Sequence, residues 1–347
     1  MNNFFKIIIL ILINLCYNQL GVSHSGGSIM KRVGILTSGG DAPGMNAAVR
    51  AVVRTGLIHG LEMFVIYDGY KGLVEGNIKQ VDRDFVSDII SRGGTIIRSA
   101  RLPEFKEESV RKIGIEQLKK FGIEALVCIG GDGTYQGAMA LTKMGINCIA
   151  LPGTIDNDIA SSDFTIGFDT ALNTITECVD KLRDTSSSHQ RCSVIEVMGR
   201  YCGDLALYAG IACGADLIVT SDHILQRNDI IARLKAMHEE GRRHAIVIIT
   251  EKLCDVHQLA YDIEKGSGYE CRAEVLGRIQ RGGSPTASDR VLAGRLGVRA
   301  IELLLEGKGG RCVGLRGNDL VDYDIEEALK MERDRHCNLI KVVTSIC

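Results

Sequence analysis

Three short segments place acidic residues beside glycines, a combination suited to phosphate chemistry. In Thr37-Ser-Gly-Gly-Asp-Ala-Pro-Gly-Met-Asn46, Gly39 and Gly40 fall between an apolar run and an amphipathic one. Glycine lets the backbone approach a phosphate, and the N-terminus of a following helix offers free N–H donors. Pro43 suits a first helical turn. The segment is neither G-x-G-x-x-G nor G-x-x-x-x-G-K-[ST], because Met45 stands where the lysine would be. A plain tight turn is the alternative. Ile129-Gly-Gly-Asp-Gly-Thr134 has the same layout, with Asp132 flanked by glycines. A lone carboxylate there suits Mg²⁺, which takes one or two acids and keeps several waters. Asp132 as a helix N-cap is the plainer reading, and it is compatible with the first. Pro152-Gly-Thr-Ile-Asp-Asn-Asp158 carries Asp156 and Asp158 two apart. In extended backbone both would point the same way, one as base and one assisting a metal. A polar Asx turn is the alternative.

A scattered set of arginines completes the inventory: Arg101, Arg191, Arg200, Arg272 and Arg281. The guanidinium fork binds two phosphate oxygens at once, although each of these taken alone reads as a solvated charge. Arg200 lies in Met198-Gly-Arg-Tyr-Cys-Gly203 and Arg281 in Ile279-Gln-Arg-Gly-Gly-Ser-Pro285. Asp184-Thr-Ser-Ser-Ser-His-Gln-Arg191 reads as a loop after a long amphipathic helix. His189 has no nucleophile or acid partner in view, so no hydrolase triad is expected.

These segments need elements to hold them. Strands are predicted at 32–37, 63–67, 125–129, 148–151, 193–197, 217–220, 245–250 and 273–276. Helices are predicted at 45–59, 108–121, 135–144, 170–184, 229–240, 256–264 and 287–306. Near-continuous apolar strands alternating with helices indicate parallel sheets covered on both faces, with ligands at the carboxyl ends of the strands. The glycine-acid loops fall at those ends.

Length and composition agree. A chain of 347 residues suggests about two domains. A hydrophobic share of 45% with 24% charged residues argues against disorder. A net charge of -2 removes the general electrostatic reason to expect nucleic-acid binding. The 12 cysteines form no C-x-x-C pair and no zinc spacing, so they read as reduced, small hydrophobes of a reducing compartment.

Residues 1–29 stand apart. Lys6 followed by the apolar run Ile7–Ile13 resembles a signal peptide, but no A-x-A site follows and the run is short for a membrane span. The expectation is a mis-annotated start, with Met30 as the true first residue. A targeting segment is the second reading and a membrane anchor the third.

The segments 37–46, 130–134, 152–158, 184–191, 196–203 and 280–285 occur together and in the order of the bacterial-type ATP-dependent 6-phosphofructokinases, which this chain resembles from Met30 to about residue 330. The resemblance implies two Rossmann-like three-layer α/β domains with mostly parallel sheets and the active site in the cleft between them. It places an ATP-binding domain at 30–167 plus 280–330, and a sugar-phosphate domain at 168–279 plus 331–347.

Family roles then follow for matching positions. Gly40, Arg101, Gly131, Gly133, Thr134 and Gly137 would line the ATP site, and Asp132 would hold Mg²⁺ with Asp158 assisting. Asp156 would be the base for the sugar 1-hydroxyl, while Thr154 and Arg200 stabilise the transferring phosphoryl group. Met198, Gly199, Glu251, Arg278 and Arg281 would bind fructose 6-phosphate, with Arg191 and Arg272 reaching it from a neighbouring subunit. That implies an oligomer, usually a homotetramer, and a cytoplasmic glycolytic enzyme. Arg50, Arg54, Arg83, Arg183, Asp216, Arg242 and Arg243 would form an effector site for ADP or phosphoenolpyruvate.

Arg278 stands where the family commonly has His, and Asp216 where it commonly has Glu. Pyrophosphate-dependent relatives tend to carry Asp at the position of Gly133 and Lys at that of Gly153, so glycine at both favours ATP. The readings weighed against this one are a pyrophosphate-dependent phosphofructokinase, another GGDGT kinase acting on NAD or a lipid, and a catalytically silent nucleotide-binding subunit.

Overall fold

The computed structural model describes residues 30–333 and 337–346. The readings made above for residues 1–29 lie outside them. Val33–Ser38 are all buried, as expected of a strand covered on both faces, and they form most of β1 (Arg32–Ser38). β2 (Glu62–Ile66), β4 (Ala125–Gly130) and β5 (Asn147–Pro152) have the same character and run parallel in one sheet. Short antiparallel partners finish both edges: β3 (Ile78–Val81) on β2, and β11 (Asp319–Asp324) on β10 (Arg311–Arg316). The resulting seven-stranded order is β11-β10-β5-β4-β1-β2-β3. A second, all-parallel sheet of four strands has the order β7-β8-β6-β9, from β6 (Arg191–Val197), β7 (Leu217–Val219), β8 (Ala245–Thr250) and β9 (Glu270–Val275).

The helices cover these sheets. In chain order they are α1 (Met45–Ile58), α2 (Gly69–Glu75), α3 (Glu108–Phe121), α4 (Asp132–Lys143), α5 (Phe168–His189), α6 (Asp204–Cys213), α7 (Arg227–Glu239), α8 (Val256–Ser267), α9 (Ala287–Leu305), α10 (Ile325–Ala328) and α11 (Cys337–Ile346). One core packs Leu36, Ile66, Leu126 and Cys148 beneath Tyr70, Leu118 and Tyr135. The other packs Val194, Val247 and Ile249 beneath Leu234, Leu259 and Ile263. Among the described residues no helix is long and apolar enough to cross a membrane. Cys128, Cys148, Cys192, Cys202, Cys271 and Cys312 are buried free thiols, packed as small hydrophobes.

Several local expectations change. Residues 184–189 are the end of α5 and not a loop. The serine hydroxyls there bond backward to carbonyls, Ser186 to Leu182 (2.7 Å) and Ser188 to Asp184 (2.9 Å), so these residues continue the helix. Pro43 precedes α1 instead of starting it, because Gly44 takes the N-cap position with φ 107°. The elements missed include α2, β3, α6, β10 and β11. Four are short or half-polar, and α6 is apolar on all sides, so none displays a clear period.

Candidate active site

Loops from the carboxyl ends of strands in both sheets supply the predicted residues. The loops after β1, β4 and β5 are joined to one another. Thr134, buried at the start of α4, donates to the Ser38 carbonyl (3.1 Å), and the Gly153 amide donates to the Gly130 carbonyl (3.0 Å). Thr37 Oγ1 donates to the Arg98 carbonyl (2.8 Å), and Ser99 Oγ donates to the Gly39 carbonyl (2.6 Å). The segment 95–101 is thereby laid against the first glycine loop. Between them opens a cleft of about 420 Å³ lined by Gly39, Gly40, Thr95, Ser99, Arg101 and Arg281, among others. That volume suits a nucleotide-sized ligand. A Cβ on Gly40 would collide with the Arg281 guanidinium, so any larger residue would push that cation out of place.

Asp132 is the first helical residue of α4 and not its N-cap, a position held by Gly131. Its carboxylate accepts from Gln136 Nε2 (2.6 Å). Gly133 has open space on its Cβ side, whereas Gly137 is buried against the Tyr70 ring. Gly153 is closely framed, with Ile129 Cγ2 at 3.0 Å and Met45 Cε at 3.1 Å from where a Cβ would stand.

The 152–158 segment is not extended. It turns through residues 155–156, and Asn157 sits at φ 53°. Asn157 is buried and fully used: Nδ2 donates to Asp204 Oδ2 (2.8 Å) and to the Asp163 carbonyl (3.1 Å), while Oδ1 accepts from the Thr165 amide (3.0 Å). This anchor lets its neighbours keep free oxygens. Asp156 Oδ1 and Asp158 Oδ1 are buried and have no hydrogen-bond partner. The Asp156 amide donates to Thr154 Oγ1 (3.2 Å). Burial raises the Asp156 carboxyl to about 6, and the charges of Asp158 and Glu251 push the same way, while Arg281 and Arg200 oppose them. Asp158 is also raised, chiefly by burial, with Arg200 and Arg333 among the opposing charges. A poised carboxyl with a free oxygen is what a general base requires.

The second sheet contributes Arg200, which lies after β6 in left-handed backbone at φ 59°, next to Gly199 at φ 125°. A non-glycine residue held there is strained, and such strain collects at functional sites. The Arg200 amide donates to Glu251 Oε1 (2.9 Å), and the Glu251 amide donates to the Val197 carbonyl (2.8 Å). Met198 is fixed by its amide donating to Gln280 Oε1 (3.1 Å). Arg281 ends the short turn Gly277–Arg281 together with the exposed Arg278. Sequence reasoning gave no role to Asn157, Asp204 or Gln280; their signal is burial of a polar side chain, which only the fold reveals.

Arg191 and Arg272 are not gathered with the others. Arg191 opens β6 and pairs with Glu270 (3.0 Å), and Arg272 aligns with Ser193 and pairs with Glu264 and Glu270. The effector candidates form two groups. Arg54 is lowered by burial and by the charges of Arg50 and Arg83. Arg183 donates to the Cys213 and Gly214 carbonyls, and Asp216 accepts from Arg242 Nη1 (2.7 Å) and the Ile246 amide (2.8 Å). Arg243 is exposed beside Arg242.

Among the described residues no cluster of three or more His, Cys, Asp or Glu side chains could hold a metal. The charge of Asp132 does act on Asp158, and Asp158 keeps an unpartnered buried oxygen. That donor set fits Mg²⁺, which takes one or two carboxylates and fills its octahedron with water and phosphate oxygens.

Comparison with known proteins agrees with this geometry. Residues 32–304 match the phosphofructokinase family. The chain is similar to phosphofructokinase from Saccharomyces cerevisiae, with 35% identity and a TM-score of 0.80 over 91% of this chain and 46% of that one. It is also similar to Pichia pastoris phosphofructokinase in the T-state, with 31% identity and a TM-score of 0.80 over 94% of this chain and 40% of that one. It therefore spans less than half the length of either yeast chain. A pyrophosphate-dependent phosphofructokinase from Marinobacter aquaeolei, 20% identical with a TM-score of 0.78 over 89% of this chain and 86% of that one, shares the fold. With the family matched across most of the chain and the loops in place, this protein belongs to the phosphofructokinase family.

Proposed function

We propose that the protein is an ATP-dependent 6-phosphofructokinase, transferring the γ-phosphoryl group of Mg-ATP to the 1-hydroxyl of fructose 6-phosphate. The observation that carries this reading is Asp156, buried, raised to about 6 and holding a free oxygen beside a glycine-lined cleft with Arg281 at its wall. Asp156 takes the proton of the attacking hydroxyl. Thr154 and Arg200 hold the group in transfer, and phosphoryl transfer asks for such positioning and charge neutralisation more than covalent help. The Gly40 backbone and Arg101 approach the donor phosphates, along with Gly131, Gly133 and Thr134. Asp132 and Asp158 would hold Mg²⁺, which when bound neutralises phosphate charge.

Gly133 and Gly153 support ATP as donor. Open space beside Gly133 leaves room for an α-phosphate, which an aspartate there would repel. A lysine at 153 would need Ile129 and Met45 to move.

The reading extends to assembly and control. β6 is about 20 Å long at about 3.3 Å per residue, and Arg191 and Arg272 lie toward its start, away from the 198–203 loop. That placement suits the role the resemblance implies, in which they serve the sugar phosphate of a neighbouring copy in a homotetramer. Arg54, crowded by Arg50 and Arg83, suits an anionic effector such as ADP or phosphoenolpyruvate, with Arg183, Asp216, Arg242 and Arg243 from another subunit. The domains are placed at 30–167 plus 280–330 and at 168–279 plus 331–347, in a cytoplasmic glycolytic enzyme. The test is phosphorylation of fructose 6-phosphate with Mg-ATP and with Mg-pyrophosphate. Turnover with ATP alone supports the proposal, turnover with pyrophosphate alone overturns the donor, and silence with both overturns the activity.

A further inference from the structure

Arg333 lies beyond α10, far in sequence from every loop of the site, yet it ends among them. Its guanidinium pairs with Asp204 Oδ1 and contacts Cys202 Sγ. Asp204 is 3% exposed and is the first residue of α6, directly after the loop that carries Arg200. The other oxygen of Asp204 accepts from Asn157, the residue between Asp156 and Asp158. Cys202 Sγ also reaches the Asn157 carbonyl (3.8 Å). One guanidinium thus stands on contacts that join the Asp156 loop of the first sheet to the Arg200 loop of the second. α11 lies against the same part of the fold, since Ile340 and Val343 face Leu207 and Ile218 across a narrow gap.

We propose that Arg333 is a positioning residue for phosphoryl transfer: through Asp204, Asn157 and Cys202 it holds the base-bearing loop and the Arg200 loop in mutual register. It touches neither substrate. Removing it takes the cation away from a buried carboxylate and frees the two loops to shift independently. Displacement of reacting groups by about 1 Å can cost about 10²-fold in rate. The inference rests on the roles given above to Asp156 and Arg200.

The test compares Arg333→Met, Arg333→Lys and the double variant Arg333→Met/Asp204→Asn in the full chain. Arg333→Met should lower kcat by about 10- to 100-fold while KM for Mg-ATP moves less than about twofold. Arg333→Lys should recover part of the rate because it keeps the charge. The double variant also removes the buried negative charge, so its melting temperature should return toward wild type while kcat stays low. Hydrogen exchange should quicken in peptides covering 154–158 and 198–204 and stay unchanged in β1 and β4. Wild-type kcat in Arg333→Met, or a double variant that regains rate and melting temperature together, would overturn the inference. If the wild-type protein itself turns over neither donor, the functional reading fails separately. Hydrogen exchange then decides the tether: protection unchanged in both loops sinks it.

Discussion

The two sheets treat their charged residues differently. Around the seven-stranded sheet, the loops at 38–44, 131–134 and 153–158 are wired to one another through backbone and buried polar groups, and the wiring leaves Asp156 and Asp158 with free oxygens. Around the four-stranded sheet, Arg191, Arg272 and Arg242 are exposed or half-exposed and are restrained by acids: Glu270 for Arg191, Glu264 and Glu270 for Arg272, and Asp216 for Arg242. The first region is preorganised within one chain. The second keeps its cations in exchangeable pairs, which a phosphate can displace because a surface ion pair is worth only about 0–1 kcal/mol. On the proposed function, catalytic geometry is internal to the fold and anion capture is left at its surface.

Attacking the first region should have the largest effect. Asp156→Ala should lower kcat by about 10² to 10⁴-fold with ATP binding intact, measured by steady-state kinetics and nucleotide titration. Near-normal turnover would show that Asp156 is not the base. In the wild-type protein, kcat/KM for fructose 6-phosphate should climb with pH through about 6 as Asp156 ionises, then level off.

The support behind that region comes next. Asp289, buried at the start of α9, accepts from the Gly167 amide (2.8 Å), the Thr170 amide (2.8 Å) and Thr170 Oγ1 (2.5 Å). It thereby closes the N-terminus of α5 from another helix. Asp289→Ala strands those donors and should cost about 3 kcal/mol in chemical denaturation. A loss below about 1 kcal/mol would mean that water replaces the carboxylate.

The second region should respond in the opposite manner. Arg272→Met should raise KM for fructose 6-phosphate about tenfold, matching the loss of a charge-assisted hydrogen bond. Folding stability should change by no more than about 0.5 kcal/mol. A large fall in stability with unchanged KM would invert the contrast between the sheets.

The smallest effect sharpens the cost of poising Asp156. Its folded value, about 6, exceeds the ordinary 3.8, so the folded chain binds that proton more tightly than the unfolded chain does. The associated stability is complete below about pH 4 and is lost as pH rises through 6. Asp156→Asn keeps the side chain neutral throughout. Its stability relative to wild type should therefore rise between pH 4 and 6 and then hold, by at most about 3 kcal/mol. A flat difference across that range would show that burial does not set the value.

Much of this was legible in advance. The strand runs around 32–37, 125–129 and 245–250 are apolar and β-branched, and they became buried strands within a residue or two. Asp132, Asp156 and Arg281 stood out by type and by their glycine neighbours. Residues 184–189 did not read as helix, because serine hydroxyls can satisfy either a loop or a helical turn and packing chose the helix. Nor did Asp156 and Asp158 lie along an extended segment, because Asn157 turns the backbone to meet Asp204.

By itself the sequence determined the α/β class, the placing of glycine-acid loops at strand ends and the family, since those depend on local periodicity and on residue types at short spacing. Only the tertiary structure decided which polar groups hold the loops together. Asn157 finds Asp204 47 residues away, Met198 finds Gln280 82 away and Cys202 finds Arg333 131 away. Such pairs follow from chain packing and the burial it imposes, and no local pattern encodes them.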